Sequence, residues 1–369
     1  MTRILISGAG IAGLALANSL KGTGWDITLI EQSSNLRVGG QAIDIRGVAV
    51  EVVSRLGLLD ELRARHLQTR GLTLLDAEGK IVMESDERTL TGGYFADQDI
   101  EVIRDELVEV LFEAFDPDPS QVWFSDTVVE IEQSSNDVLV TTREGRSERF
   151  DLVFGADGIN SPIRRKLFGK DSDNLRYLNR CVANITVPNT IGLDLWQYAG
   201  WECEPRWIVY PSRENQDLRA FILYDRPEDE PPPADRREQM DLIASKVVDL
   251  PWKVPELLGD VERYEQFYFG DLAWVDLPAW SQGRVALVGD AAHCPTPMTG
   301  QGTSLAIVGA FVLGQELRRH ADDFSQAFAR YEHRMRPFVA ENLKILNTQK
   351  DDGAREAITH AKNAIDLDS

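Results

Sequence analysis

The chain opens on a short apolar run, Arg3-Ile4-Leu5-Ile6-Ser7, which gives way at Gly8 to Ile11-Ala12-Gly13-Leu14-Ala15-Leu16-Ala17. That pattern predicts a strand, a tight turn and a helix. A second apolar strand, Trp25-Asp26-Ile27-Thr28-Leu29-Ile30, ends in Glu31. A segment rich in glycine follows, Arg37-Val38-Gly39-Gly40-Gln41-Ala42-Ile43-Asp44-Ile45-Arg46-Gly47, and reads as a connection able to run close beside a flat ligand. Beyond it, Val48 to Leu59 is amphipathic, Leu72 to Met83 alternates about Asp76-Ala77-Glu78-Gly79-Lys80 as a hairpin does, and a helix carrying Arg104 is expected from about Asp99 to Phe115. Strands and turns fill Val122 to Phe150. Leu152-Val153-Phe154-Gly155-Ala156-Asp157-Gly158 then repeats the strand-then-glycine pattern, with Ser161 as N-cap and Pro162 as first residue of the next helix.

From about Arg180 to Leu277 the pattern changes to period two with many aromatics: Arg206-Trp207-Ile208-Val209-Tyr210, Arg219-Ala220-Phe221-Ile222-Leu223-Tyr224 and Gln266-Phe267-Tyr268-Phe269. Such alternation predicts a sheet with one buried face. Asp225 to Gln239 is charged and rich in proline and reads as a solvated loop. Val285 to Asp290 is an apolar strand ending in Gly-Asp, followed by a long helix from Gly302 to about His320 and a second from Phe324 to the terminus. No repeat of fixed period is present. At 369 residues the chain exceeds one average domain. The fold class expected is α/β. A discontinuous Rossmann-like domain with a parallel sheet (1–71, 96–175, 278–320) is joined by a smaller, mostly antiparallel β domain (72–95, 176–277) and a C-terminal helical segment (321–369).

The first strand, turn and helix carry chemistry. In Gly8-x-Gly10-x-x-Gly13, the three glycines permit the turn, the approach of backbone to a pyrophosphate, and close packing of helix on strand. The helix N-terminus supplies N–H groups and a positive dipole end for the diphosphate. Glu31 stands where an acid accepts hydrogen bonds from an adenosine ribose and disfavours a 2′-phosphate, so the site reads as one for FAD or NAD.

Charge and composition narrow the possibilities. A net charge of −21 argues against a nucleic-acid partner. The longest uncharged apolar run, Leu305 to Leu313, is far short of the ~20 residues that span a bilayer. No basic segment and apolar block precede the first strand, so no secretory signal is expected. Cys181, Cys203 and Cys294 are widely spaced and suit a reducing cytoplasm. The five histidines show no metal-ligand spacing, and no metal is expected.

Taken with Gly155-Ala156-Asp157-Gly158 and Gly289-Asp290-Ala291-Ala292-His293 followed by Pro297 and Gly300-Gln301-Gly302, the first motif resembles the single-component (class A) FAD-dependent aromatic hydroxylases of the para-hydroxybenzoate hydroxylase fold. Within that family, Arg37-Val-Gly-Gly-Gln-Ala-Ile-Asp44 and the Arg104 segment are most similar to the tetracycline-inactivating flavin monooxygenases. The resemblance implies FAD contacts from Gly8, Gly10, Ile11, Ala12, Gly13, Glu31, Gln32, Asp44, Arg46, Arg104, Gly289, Asp290, Pro297, Gly300, Gln301, Gly302 and Thr303. It implies a role for Arg37 in holding NADPH, and links Asp157 and Gly158 to both FAD and the nicotinamide cofactor. Asp290 would bind the ribityl chain, and the Gly300–Gly302 backbone would lie beside the isoalloxazine. For Asp157, a carboxylate capping the following turn is an equal alternative.

The activity this resemblance implies is that of a monooxygenase. NADPH (or NADH), as transient reductant, reduces FAD, and O2 gives a flavin C4a-hydroperoxide whose distal oxygen passes to an aromatic or polycyclic, polyketide-like small molecule. The cofactor carries the chemistry, so no catalytic residue is assigned, and His293 reads as a structural neighbour of Asp290. Gln197, Tyr210 and Phe221 are the candidate substrate residues, with Trp207 and Tyr224 possible pocket or core. Two departures from the family stand out: Thr303-Ser304 where an Asn often follows Gly-Gln-Gly, and Gly309-Ala310 where an acid often precedes Ala. A flavoprotein of this fold performing a redox-neutral step, with FAD as scaffold, is the alternative. A monomer or homodimer is expected.

Overall fold

In the computed structural model, residues 1–36, 38–87, 98–227, 230, 233–347 and 352–369 are described. Arg37 lies outside them.

Strand Arg3–Ser7 runs parallel between Asp26–Ile30 and Leu152–Gly155, with Ile6 opposite both Leu29 and Phe154. Val285–Leu287 extends the sheet beside Leu152–Gly155, Val122–Trp123 closes one edge, and the antiparallel Ser281–Gln282 closes the other. The central strands are mostly apolar, as in Ile4-Leu5-Ile6 and Leu152-Val153-Phe154, because both faces are covered. Ile4, Leu5, Ile6, Val153 and Phe154 have no exposed surface, and the core they share includes Leu14, Leu16, Ile307 and Leu313 of helices Ile11–Leu20 and Gly302–Arg319. The carboxyl ends of the parallel strands deliver Gly8, Glu31, Asp157 and Gly289 to one edge, where open α/β sheets place their ligands.

The second sheet has seven strands, in the order Phe267–Val275, Leu175–Pro188, Asp217–Asp225, Arg206–Pro211, Trp196–Gly200, Gly71–Leu75 and Ile81–Ser85. Its period-two pattern sorts side chains onto two faces. Cys181, Ala183, Trp207, Val209, Ile222 and Tyr224 face helices Arg236–Val247 and Val254–Leu258. The opposite parity faces the nucleotide side: Tyr210 packs with Ile103 and Ala42, and Leu223 and Phe221 pack with Met298.

Several elements differ from the sequence pattern. Ile100–Ile103 is a strand, and the helix begins only at Arg104. Its β-branched residues pair antiparallel with Ala42–Ile45, a strand within the segment read as a loop. The amphipathic stretch divides at Gly57 (φ +76°) into helices Val48–Arg55 and Leu59–Ala64. The charged loop ends early, because the Asp235 carboxylate accepts from Glu238 N–H and starts a helix at Arg236. The last helix is two, Phe324–Lys344 and Asp352–Ala361. No helix among the described residues is long and apolar enough to cross a membrane.

Candidate functional site

Space explains the first glycines. A Cβ on Gly8, whose φ is +107°, would stand 2.4 Å from the Ala156 carbonyl oxygen, and one on Gly13 would stand 2.0 Å from that of Gly8. Helix Ile11–Leu20 begins with Gly10 as N-cap; among the described residues no side chain caps it, and its first turn, Ile11 to Gly13, holds no acid. Helix Gly302–Arg319 starts in the same way behind Gln301, with Thr303 half-buried in its first turn. Both ends offer N–H groups and positive dipole to an anionic or electron-rich ligand.

Glu31 accepts the N–H of Ala9 at 3.0 Å and of Ser33 at 2.9 Å, bracing the glycine turn, while Gln32 beside it is exposed. A Cβ on Gly10 would lie 3.9 Å from the Arg104 guanidinium. Asp105, the next residue, accepts the N–H groups of Gly39 and Gly40 at 2.6 and 2.8 Å, and so pins the second glycine loop to the Arg104 helix. Across the sheet edge a Cβ on Gly289 (φ +63°) would meet that of Ala12 at 2.5 Å. Burial raises the Asp290 carboxyl above its ordinary range, against the Cys294 thiol hydrogen bond and the charges of Arg104 and Arg164.

Asp44 on the Ala42–Ile45 strand pairs at 2.7 Å with Arg46 just beyond its end, and the Arg46 N–H donates to Ser304 Oγ at 3.0 Å. Ser304, a departure from the family pattern, thus fastens this strand to the helix of the Gly300-Gln301-Gly302 turn. A Cβ on Gly300 would lie 3.5 Å from Arg46 Nη1. Glu101 stands opposite Asp44 in the register. Burial, and then the charge of Asp44, pushes its carboxyl up to about 8; Asp44 is itself raised by burial, with Arg46 opposing.

Two polar side chains at this edge keep buried atoms without a partner among the described residues. Asp157 Oδ1 is buried and has no partner among the described residues, although Oδ2 accepts the Ile163 N–H at 3.3 Å; burial pushes this carboxyl up to about 6. Gly158 follows at φ +78°. Gln301 has no exposed surface, and neither its amide oxygen nor its nitrogen finds a partner among the described residues. Pro297 begins the short 3-10 turn that leads to Gly300 and Gln301. The glycine cradle, two uncapped helix ends, a carboxylate oxygen and an amide fit a group with a diphosphate, hydroxyls and a heterocyclic edge.

Two buried side chains, His293 and Arg164, brace the site from behind. His293 is core: its Nε2 lies 3.2 Å from Tyr331 Oη, whose hydroxyl donates to the Leu287 carbonyl, so the ring serves as donor. Burial pushes it down to about 4, which leaves it neutral. Arg164, unnoticed in the sequence, has no exposed surface; it donates to the carbonyls of Ile159 and Ala291 and pairs with Asp171 at 2.8 Å, tying the Asp157 turn to the Asp290 turn. Its signal was the spacing to Ser161, whose Oγ accepts the Arg164 N–H.

On the seven-stranded sheet, register sets Tyr210, Arg219 and Thr186 in one row, with Ala199, Ile208, Phe221, Asn184 and Tyr268 in the next; Gln197, two residues before Ala199, shares their parity. Trp207 and Tyr224 point the other way. Tyr210 Oη accepts the Ala42 N–H at 2.7 Å, joining the sheet to the Asp44 strand. Arg219 donates to Thr186 Oγ1 at 2.8 Å, while its Nε and Asn184 Oδ1 are buried without a partner among the described residues. Arg219 and Asn184 escaped notice because they occupy the polar positions of strands that read as aromatic core.

Residues 1–345 match the family described as FAD binding domain. The chain belongs to this family. An uncharacterised protein of Mycobacterium tuberculosis is 35% identical over 96% of this chain and 95% of its own length. A flavin-dependent monooxygenase of Legionella longbeachae is 34% identical over 93% of this chain and 87% of its own. The crystal structure of the tetracycline destructase Tet(51) superposes with a TM-score of 0.88 at 30% identity, covering 99% of both chains. As a family member with these full-length relatives, the protein is an FAD-dependent monooxygenase with the para-hydroxybenzoate hydroxylase fold.

Proposed function

We propose that the protein uses NAD(P)H and O2 to insert one oxygen atom into an aromatic or polycyclic, polyketide-like molecule held against the seven-stranded sheet. The observation that carries this reading is the sheet face turned toward the Met298–Gln301 segment. It combines apolar Phe221 and Ile208 with buried polar atoms on Arg219 and Asn184 that have no partner among the described residues. An apolar surface with a few convergent polar groups suits a flat, oxygen-rich ring system.

FAD, when bound, supplies the acceptance of hydride and the activation of oxygen. Gly8, Gly10 and the first turn of the following helix would hold the diphosphate, Asp157 Oδ1 would accept a hydroxyl, and Gln301 would meet the heterocycle. Asp290 would accept from the polyol chain. The dipole of helix Gly302–Arg319 favours negative charge beside its N-terminus. Gln197 and Arg219 would orient the substrate's oxygens, while Phe221 and Met298 exclude water. His293, neutral and engaged with Tyr331, takes no part in proton transfer.

The test is consumption of NADPH in air by FAD-loaded protein offered a panel of polycyclic phenols, with product mass read under labelled oxygen. One labelled atom per product supports the reading. A product formed without NADPH loss or label would overturn it in favour of a redox-neutral step.

A further inference from the structure

From the Asp44–Arg46 pair a line of charges runs through Asp99 to Lys362. Arg46 Nε lies 3.9 Å from Asp99 Oδ2, and the same oxygen is 2.7 Å from the ammonium of Lys362, close to the end of the chain. Asp99 Oδ1 accepts the N–H of Gly47 at 3.1 Å. The Lys362 carbonyl accepts the N–H of Val48 at 3.1 Å, and a Cβ on Gly47 would stand 2.4 Å from it. The side chains are 14% (Lys362), 19% (Asp99), 4% (Arg46) and 17% (Asp44) exposed, so solvent screens them poorly.

The segment bearing Lys362 is held from several sides. Asn342 Nδ2 donates to the Ala361 carbonyl, Arg334 donates to those of Asp366 and Leu367, and Arg55 pairs with Asp368. Its position relative to the Asp44 strand is therefore set by packing from helices Val48–Arg55 and Phe324–Lys344.

The charges around Arg46 bear on what Lys362 does. Three carboxyls, Asp44, Glu101 and Asp99, surround Arg46, with His66 and Tyr210 nearby. Burial keeps Glu101 protonated below about 8, so the carboxyls that face the Arg46 guanidinium as ion-pair partners are Asp44 at 2.7 Å and Asp99 at 3.9 Å. With Lys362 satisfying Asp99, Arg46 remains on Asp44; without it, Asp99 competes for the same guanidinium.

We propose that Lys362 is a positioning residue for the FAD site, holding Asp99 so that Arg46 stays paired with Asp44 and beside Gly300. This rests on the reading of Asp44, Arg46 and the Gly300–Gly302 turn as FAD-facing. The test is the dissociation constant of FAD, titrated into apoprotein by quenching of flavin fluorescence. Lys362→Met is expected to weaken FAD binding about tenfold, and Lys362→Arg to retain it. Adding Asp99→Asn to Lys362→Met should recover binding to within about threefold of wild type, because the competitor is gone while its Oδ1 still accepts from Gly47. Lys362→Gln carries the same comparison if the Met variant does not fold. Unchanged FAD affinity in the single variant, or a double variant no better than the single, overturns the proposal. Wild-type protein that takes up no FAD would overturn the underlying site reading instead.

Discussion

Asp157 and His293 are both buried and both shifted in the direction that favours neutrality, yet they have opposite consequences. Asp157 keeps an unpartnered oxygen at the ligand edge and holds its proton until about pH 6. A protonated carboxyl accepts poorly, so FAD affinity should be constant above about pH 6 and weaken below it, by up to about tenfold per unit. Asp157→Asn should flatten that dependence, which fluorescence titration at pH 5 and 7 would read. His293 titrates near 4 in the fold against 6.5 ordinarily. The unfolded chain therefore binds more protons between those values, and stability present above pH 6.5 is lost as pH falls toward 4. Urea unfolding at pH 7 and pH 5 should show the wild type losing about 2 kcal/mol more than His293→Gln. Equal losses would mean that the ring is not held neutral.

At the scale of elements, the faces of the seven-stranded sheet divide stability from binding. Trp207 is fully buried under helices Arg236–Val247 and Val254–Leu258, stacked on Trp252 with ring centroids 5.6 Å apart. Arg219, on the neighbouring strand with opposite parity, lies beside Tyr210. Trp207→Leu should cost about 2–4 kcal/mol in denaturant unfolding and leave KM unchanged. Arg219→Met should raise KM for a polyhydroxylated substrate about tenfold with FAD affinity intact. A shift of KM in the Trp207 variant alone would reverse the two faces. Alternation separates Trp207 from Tyr210 and Phe221 from Tyr224, but because all four are aromatic it does not say which face meets the helices and which the nucleotide side. The strand Ile100–Ile103 was hidden for a related reason: four residues leading straight into a helix carry too little periodicity, and only pairing with Ala42–Ile45 stabilises them as a strand.

Across the whole molecule, the candidate cofactor site joins the beginning of the chain to its last third, so binding should stabilise the assembly as a unit. FAD at one hundred times its dissociation constant should raise the unfolding free energy by about 2.7 kcal/mol, seen as a higher melting temperature that rises further with FAD concentration. A melting temperature indifferent to FAD would contradict a site built from both ends. The glycine motifs, the N-cap at Ser161 and the strands of the parallel sheet were legible from sequence because their causes are local. A positive φ at Gly8, a hydroxyl accepting from the N–H three residues on, or an unbroken apolar strand depends on residues adjacent along the chain. Other features depend on residues that only folding makes neighbours. Lys362 meets Asp99 across 263 positions, Arg46 donates to Ser304 across 258, and Tyr210 receives Ala42 across 168. A salt bridge or hydrogen bond between such residues leaves no spacing to read, since its energy depends on separation in space and on exclusion of water, and the tertiary structure alone sets both.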